Sequence, residues 1–325
     1  MPRPFCWIAI TITATVASAA PLDVVPQPSS PDRPPPVKTD PSLLSKPAPV
    51  LFDLAPLWLL PDRFDAMAGE NTSLSLSRGS PPTARAVPIG SLPTDWAFSR
   101  LRGVQENRDS LAELSSILPA PPAKPDAPAA DDSVRVSLPR DGVAMIACDF
   151  APRTERIESA TLLDALKGRL REPVSRDIQA ASANKTHLSV RLIESAKCLI
   201  RVAPADGSAS TSDAQTVITK AGQFSEIRFT MDPTRQPVGG DVQFRIFAGY
   251  DKADRSSVIA TCVETGESQV IEVDPSATGL IHLTTAGTWR VQFTAIRILK
   301  NDLAADIEVL VATATFKTMP KEAGR

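Results

Sequence analysis

The last hundred residues read as one short β-strand after another, and this regular spacing restricts the fold more than any other feature of the chain. Turn residues such as Asp274-Pro275 and Ala286-Gly287 separate the apolar or alternating segments. About seven strands at this spacing are typical of an immunoglobulin-like β-sandwich, which we expect over residues 217–318. The predicted strands cover residues 226–231, 242–248, 258–263, 269–273, 280–284, 289–296 and 307–316.

Residues 51–204 predict a first sandwich of the same class, interrupted by a helix. Residues 72–77 alternate as a half-buried strand does, and residues 143–150 are almost all apolar, which indicates a strand buried on both faces. Leucines at helical spacing predict a helix near 161–171 that ends before Pro173. The expected fold is therefore mainly β, with two immunoglobulin-like β-sandwich domains and a short helical insertion in the first.

Polar and proline-rich segments separate these units. Residues 20–50 contain ten prolines, a composition that cannot form a packed core and predicts a disordered tether. A second proline-rich stretch at 119–132 predicts a mobile loop. Small polar residues at 205–216 predict an interdomain linker, and residues 319–325 a short tail.

The first residues carry the pattern of a secretory signal. A basic Arg3 precedes the apolar run at residues 5–16, and small residues follow it, so we expect a signal peptide at 1–19. The run is too short for a stop-transfer helix, and no other run approaches membrane-spanning length. These features predict an exported protein, periplasmic or extracellular, without a membrane span after cleavage.

Three cysteines remain after the signal, and two readings of them stay open. In an oxidising compartment, Cys148 and Cys198 could form a disulfide. Each cysteine, Cys262 included, also lies in an apolar strand pattern, and buried free thiols are common at such positions.

The composition argues against several function classes. The formal net charge is −2 and the basic residues are scattered, so nucleic-acid binding is not expected. With only two histidines, His187 and His282, neither a histidine-based metal site nor a Ser-His-Asp triad is predicted. We expect no cofactor, no metal site and no enzymatic activity.

Several blocks of the sequence resemble a known bacterial family. They are APLWLLPDRFDAMAGENTSLSLSRG at 55–79, VRVSLPRDGVAMIACDFAPRTERIE at 134–158, RLIESAKCLIRV at 191–202, FSEIRFTMDPTRQPVGGDVQFRIF at 224–247, and GLIHLTTAGTWRVQFTAIR at 279–297. In order and spacing they are similar to periplasmic proteins of poorly defined function that are grouped with the components of nickel and cobalt uptake (NikM-like). The resemblance covers about residues 51–318.

This resemblance implies an accessory or solute-binding role near metal uptake. Family members commonly carry a histidine before the opening Trp strand and another near the late strand after the Gly-Trp turn. Here the first region reads Ala55-Pro56-Leu57-Trp58, and residues 291–297 contain no histidine either. The resemblance therefore implies the fold and the compartment more than metal binding.

Single residues that could carry chemistry have structural explanations. Trp58 and Trp289 are expected to fill the cores of the first and second sandwich. Lys197 lies in an apolar strand, so its amine should reach solvent or pair with a carboxylate, for which Asp149 is a candidate. His282 lies on an alternating strand and His187 at the start of another, and neither predicts a metal ligand.

Two functions follow as hypotheses. The first is an exported, non-enzymatic binding or accessory protein whose partner is an unknown envelope protein or a small ligand. The alternative is a structural or adhesive module of the cell envelope, held away from a surface by the proline-rich tether. A hydrolase is the weakest reading, because no nucleophile–base pair or paired-acid motif is present.

Overall fold

Strands dominate the part of the chain that the computed structural model describes. It describes residues 55–81, 83–87, 98–105, 112–113, 133–167, 172–208, 215–249, 251–253, 256–300 and 302–320. Four predicted segments lie wholly or mostly outside these residues: the signal (1–19), the tether (20–50), the proline-rich loop (119–132) and the tail (319–325), of which residues 319 and 320 are described. None of the described helices is long and apolar enough to cross a lipid bilayer.

The first half of the described chain supplies ten strands and two helices. The strands are β1 (Leu57–Pro61), β2 (Asp65–Met67), β3 (Asn71–Arg78), β4 (Arg85–Val87), β5 (Phe98–Gln105), β6 (Ala112–Glu113), β7 (Ser133–Ser137), β8 (Gly142–Phe150), β9 (Arg153–Glu158) and β10 (His187–Ala203). The helices between β9 and β10 are α1 (Ser159–Leu166) and α2 (Glu172–Ser182).

The second half supplies eight strands and a one-turn helix. The helix is α3 (Gln215–Ile218), and the strands are β11 (Ser225–Phe229), β12 (Asp241–Ala248), β13 (Asp251–Lys252), β14 (Ser257–Cys262), β15 (Ser268–Glu272), β16 (Thr278–His282), β17 (Thr288–Ile298) and β18 (Ile307–Lys317). A 3₁₀ turn, Pro233–Arg235, follows β11, and the Asp232 side chain accepts a hydrogen bond from the Thr234 N–H at its start.

Both halves have the same sandwich topology. In the first, β1-β3-β7 faces β6-β5-β8-β10, and in the second, β11-β12-β16 faces β15-β14-β17-β18. When β2, β4, β9 and β13 are left out of the count, strands one, two and five of each half face strands four, three, six and seven. The prediction of a mainly β protein built from immunoglobulin-like sandwiches is confirmed.

A parallel pairing of the two last strands joins these sandwiches. Residues 190–198 of β10 pair with residues 307–315 of β18, so one sheet runs through both halves in the order β15-β14-β17-β18-β10-β8-β5-β6. With β2 and β9, which also pair with β10, this sheet has ten strands. We call this the central sheet and the contact of β10 with β18 the seam. The stretch at 205–216, predicted as a linker, thus connects strands of one compact unit, residues 51–325.

The two smaller sheets lie on opposite faces of the central sheet. Alternate residues of β8 separate between two cores: Val143 and Met145 pack with the β11-β12-β16 sheet, whereas Ala144 and Ile146 pack with the β1-β3-β7 sheet. This is the geometry of an approximate two-fold axis parallel to the seam strands. It explains why β8, β10 and β18 are buried on both faces, as predicted for residues 143–150.

The helical insertion differs from the expected helix at 161–171. Helix α1 starts directly after β9 and ends at Leu166, and α2 continues across Pro173, where we predicted a stop. Proline lacks only an N–H that the first turn of a helix does not use, so it is compatible with a helix start. Leu162, Leu166 and Ile178 pack on the first residues of β10 and β18.

Candidate functional site

Lys197 is buried at the seam and pairs with a carboxylate of the other half. Its Nζ lies 3.4 Å from Oε1 of Glu226 and 5.9 Å from the centre of the Phe229 ring. Neither charged side chain reaches solvent. Burial lowers the pKa of Lys197, while the Glu226 carboxylate opposes that shift. The amine therefore ties β10 to β11 in an apolar setting.

The predicted partner of Lys197, Asp149, lies elsewhere. Oδ1 of Asp149 accepts a hydrogen bond from the Ser195 hydroxyl at 2.7 Å. Ser195 and Lys197 lie two positions apart and so share the face of β10 toward the C-terminal half. On that face Asp149 meets Ser195, whereas the carboxylate that meets Lys197 comes from β11. Alternation along β10 alone could not have identified that strand.

The Gln223 amide closes a gap where β8 and β10 separate. The pairing of these strands runs from Gly142 and Val202 to Met145 and Leu199. Beyond that point the Gln223 Nε2 donates to the carbonyls of Cys148 and Ala196 at 3.1 and 3.0 Å. A buried side chain thus replaces missing backbone pairing.

The cysteines are free thiols in this structure, so the disulfide between Cys148 and Cys198 is not formed. The register pairs Leu199 with Met145, which places Cys198 level with Ile146 and away from Cys148. Burial raises the pKa of both thiols. The two side chains belong to the core of the first sandwich.

Trp58 and Trp289 are both buried, in different surroundings. Trp289 lies inside the core of the second sandwich and donates its indole N–H to the Thr285 carbonyl. Trp58 faces the Arg290 guanidinium, 5.9 Å from the ring, while its neighbours Leu57 and Leu59 enter the first core. Trp58 therefore lies at the contact between the two halves. Side chains alternate along β1, so Leu57 and Leu59 point into the first core and Trp58 points away from it.

A groove opens beside the seam, at the end where α2, the β12–β13 turn and the last residues of β17 meet. Its volume is about 560 Å³. Apolar side chains, among them Ile178, Ala253 and Ile296, form its floor, and the charged residues of its lining are Asp177, Asp251, Lys252, Arg297 and Lys300. A groove with both apolar and charged side chains in its lining can accept a peptide segment of a partner.

Arg297 fixes one wall of this groove. Its guanidinium donates to the Ala248 carbonyl at 2.6 Å and approaches carboxylate oxygens of Asp251 at 3.7 Å and Glu308 at 3.5 Å. Gly249 has φ +57°, and a Cβ there would lie 2.4 Å from the guanidinium nitrogens. Glycine is thus required for the β12–β13 turn to lie against Arg297.

The loop between β17 and β18 borders the groove and is held by two aspartates. Asp302 accepts from the N–H groups of Ala304 and Ala305 and from Arg191 at 2.7 Å. Asp306 accepts from the Ser189 N–H at 2.8 Å and pairs with Lys185. These hydrogen bonds lower the pKa of both aspartates.

The histidines lie apart from the groove and the seam. His282 is exposed on β16, with Nδ1 2.8 Å from Oδ1 of Asp241, and His187 is exposed at the start of β10. Among the described residues, no group of three or more His, Cys, Asp or Glu side chains is arranged to hold a metal ion.

No known protein family matches the chain, and no curated protein matches it. Solved structures give faint likenesses. Murine CEACAM1b is 10% identical with a TM-score of 0.17, covering 82% of this chain and 100% of that one. The three N-terminal domains of the bacteriophage RB49 outer capsid protein Hoc are 12% identical with a TM-score of 0.17, covering 82% and 59%.

The fibronectin(III)-like modules of Clostridium thermocellum CbhA are 9% identical with a TM-score of 0.16, covering 80% of this chain and 94% of that one. TM-scores this low do not establish a shared whole-chain fold, so no function transfers from these proteins.

Proposed function

We propose that this chain is an exported, non-enzymatic structural or adhesive module of the cell envelope. In this proposal its two sandwiches act as one rigid body, and the groove end faces a protein partner. The observation that carries the proposal is the seam. Nine residue pairs join β10 to β18, and side chains of each half pack into the other.

A sheet that continues through both sandwiches suits a structural role, because no flexible linker separates the two halves. Tandem sandwiches joined only by a flexible linker move relative to one another, whereas bending at this seam would break backbone hydrogen bonds and expose Lys197 and Glu226. The body can thus hold its groove end at a fixed position and orientation. The proline-rich residues 20–50 would supply the spacer to a surface.

Export is tested by producing the full chain with a C-terminal tag in a bacterial host. The expected result is an exported protein whose intact mass corresponds to cleavage after Ala19. The control variant Ile10→Asp places a charge in the apolar run and should keep the protein uncleaved and in the cytoplasm. Uncleaved cytoplasmic wild-type protein would contradict the proposal.

Rigidity is tested on the same chain with paired spin labels, one on each half. The exposed residues Ser137 of β7 and Val270 of β15 can each be replaced by cysteine for labelling. A single narrow distance distribution is expected. A broad one would show that the halves move independently and would refute the rigid-body role.

The role in nickel or cobalt uptake stays a prediction from the family resemblance. It is tested by thermal unfolding with each metal. A metal-selective rise in melting temperature that a chelator reverses would favour it over the structural role.

A further inference from the structure

The loop between β17 and β18 displays a leucine that is fully exposed. Leu303 has a relative exposure of 106%, the largest among the exposed apolar side chains of the described residues. It lies between Asp302 and Asp306, whose carboxylates bind backbone N–H groups of the loop and of β10. The leucine is therefore presented between two aspartates that hydrogen bonds hold in place.

An exposed leucine in an ordered segment is unfavourable for an isolated protein. The chain loses conformational entropy by ordering residues 302–306, and the Leu303 side chain gains nothing in return, because it contacts water. In binding surfaces the same arrangement is favourable, since a pre-ordered apolar anchor loses little further entropy when it enters a partner.

The surroundings of Leu303 extend this apolar tip into a larger surface. Ile298 is 37% exposed and lies both in the groove and beside the loop. Lys300 lines the same two surfaces, and Lys252 of β13 lines the groove. Arg297 pairs with Asp251 and Glu308, whereas Lys252, Lys300 and Asp177 are in no ion pair in the described ranges. Two lysines and one aspartate thus remain, and the unpaired charge of the lining is positive.

We propose that Leu303, Ile298, Lys252 and Lys300 form a docking surface for a partner segment that carries Asp or Glu beside apolar residues. The apolar residues contact Leu303, Ile298 and the groove floor, and the acids pair with the two lysines. This proposal names the partner chemistry of the groove end and rests on the proposed function.

Two other occupants fit these charges less well. A second copy of the chain in a two-fold arrangement would bring the same lysines near each other. An anionic membrane would bring its negative charge against Asp177 as well as against the two lysines, because that charge is spread over the whole contact. An acidic segment of a protein can place its charges at single points beside the lysines, which a uniformly charged surface cannot.

The test is a displayed library of random peptides selected on the purified full chain. We expect the selected peptides to be enriched in Asp and Glu next to Leu, Ile or Val. Their binding, followed by fluorescence anisotropy, should weaken about tenfold (about 1.4 kcal/mol) in Leu303→Ala, because the partner then buries less apolar surface. The matched control Leu280→Ala, an exposed leucine on β16, should bind as wild type does.

Charge reversal completes the test. The double variant Lys252→Glu/Lys300→Glu should lose the acidic peptides and bind versions in which Lys replaces each acid. Since these side chains are exposed, the melting temperature of every variant should match that of wild type. Selected peptides without acidic enrichment, or binding insensitive to Leu303→Ala, would overturn the proposal. The proposal would also be overturned if vesicles of anionic lipid bound the wild type in a Leu303-dependent manner and the peptides did not bind.

These outcomes are separable from those for the proposed function. Peptide binding is measured on purified protein and does not depend on export. Failure of the library selection would leave the cleavage and the spin-label distances unaffected.

Discussion

The two faces of the seam are covered in different ways. On one face the C-terminal half lies over β8 and β10, and Val217, Ala221 and Ile227 pack on Val143 and Met145. We call this contact the apolar overlap; the pair of Lys197 and Glu226 is enclosed in it. On the other face β1 lies over β17 and β18 and meets hydroxyl and guanidinium groups. We call this contact the polar overlap.

The polar overlap satisfies the free edge of a strand. β1 pairs with β3 on one side only, and the hydroxyls of Thr313 and Thr315 donate to the carbonyls of Leu57 and Leu59 on the other. Glu194 accepts from the Leu57 N–H, and Arg290 stacks near Trp58 and donates to the Gly79 carbonyl. Side chains thus protect an edge that could otherwise pair with another chain.

The backbones of the two halves are approximately symmetric, but the two overlaps should contribute to the free energy of unfolding in different ways. The apolar overlap should derive its stability from buried area and should be sensitive to a charge left without its partner. The polar overlap consists of several separate hydrogen bonds, each of which contributes little. Four measurements of unfolding free energy test this difference.

The largest effect is expected for Lys197→Met. It removes the nearer cation of the buried Glu226 carboxylate and leaves it only Arg228, 3.9 Å from Oε2, so the unfolding free energy should fall by about 3 kcal/mol in urea titrations. Lys197→Met combined with Glu226→Gln removes both charges and keeps an acceptor for the Ala221 N–H, so it should regain most of the loss. A single variant as stable as wild type would refute the buried pair.

Arg290→Met should have a smaller effect in the polar overlap. The substitution keeps the apolar stem and removes the guanidinium from Trp58 and the Gly79 carbonyl, so a loss of about 2 kcal/mol is expected. If this variant loses more stability than Lys197→Met under the same conditions, the contrast between the overlaps is wrong.

Thr315→Val should reduce stability by about 1 kcal/mol, because an isosteric side chain leaves the Leu59 carbonyl without its donor. Thr313→Val should act similarly on Leu57. Exposed Thr284→Val on the other side of the molecule serves as the control and should have no measurable effect. Unchanged unfolding free energies for both seam variants would mean that water replaces the hydroxyls.

The smallest effect is a dependence on alkaline pH that only the apolar overlap should show. The pKa of Lys197 is lowered from 10.5, so the unfolded chain holds this proton at pH values where the folded chain has lost it. Stability should therefore rise with pH between the lowered pKa and 10.5, relative to the Lys197→Met/Glu226→Gln variant. Arg290→Met should keep the dependence; equal slopes in wild type and double variant would contradict it.

Local sequence patterns predicted the strands well and their long-range neighbours poorly. The alternation and apolar runs located most strands of the second sandwich and the doubly buried β8. The same patterns left the partner of Lys197 open, because Glu226 lies 29 residues away on a strand of the other half. The groove went unnoticed because its residues come from α2, β12, β13 and β17, and α2 contains the Pro173 that we interpreted as a helix stop.

The sequence alone determined the class of the fold, since turn residues and period-two alternation act within a few positions of each other and need no distant contact. Only the tertiary structure decided that β10 and β18 pair with each other. Any open strand edge offers the same backbone donors and acceptors, so the choice depends on which side chains fit on both faces at once. Here Lys197 forms an ion pair with Glu226 on one face, and the Thr315 hydroxyl donates a hydrogen bond to the Leu59 carbonyl on the other.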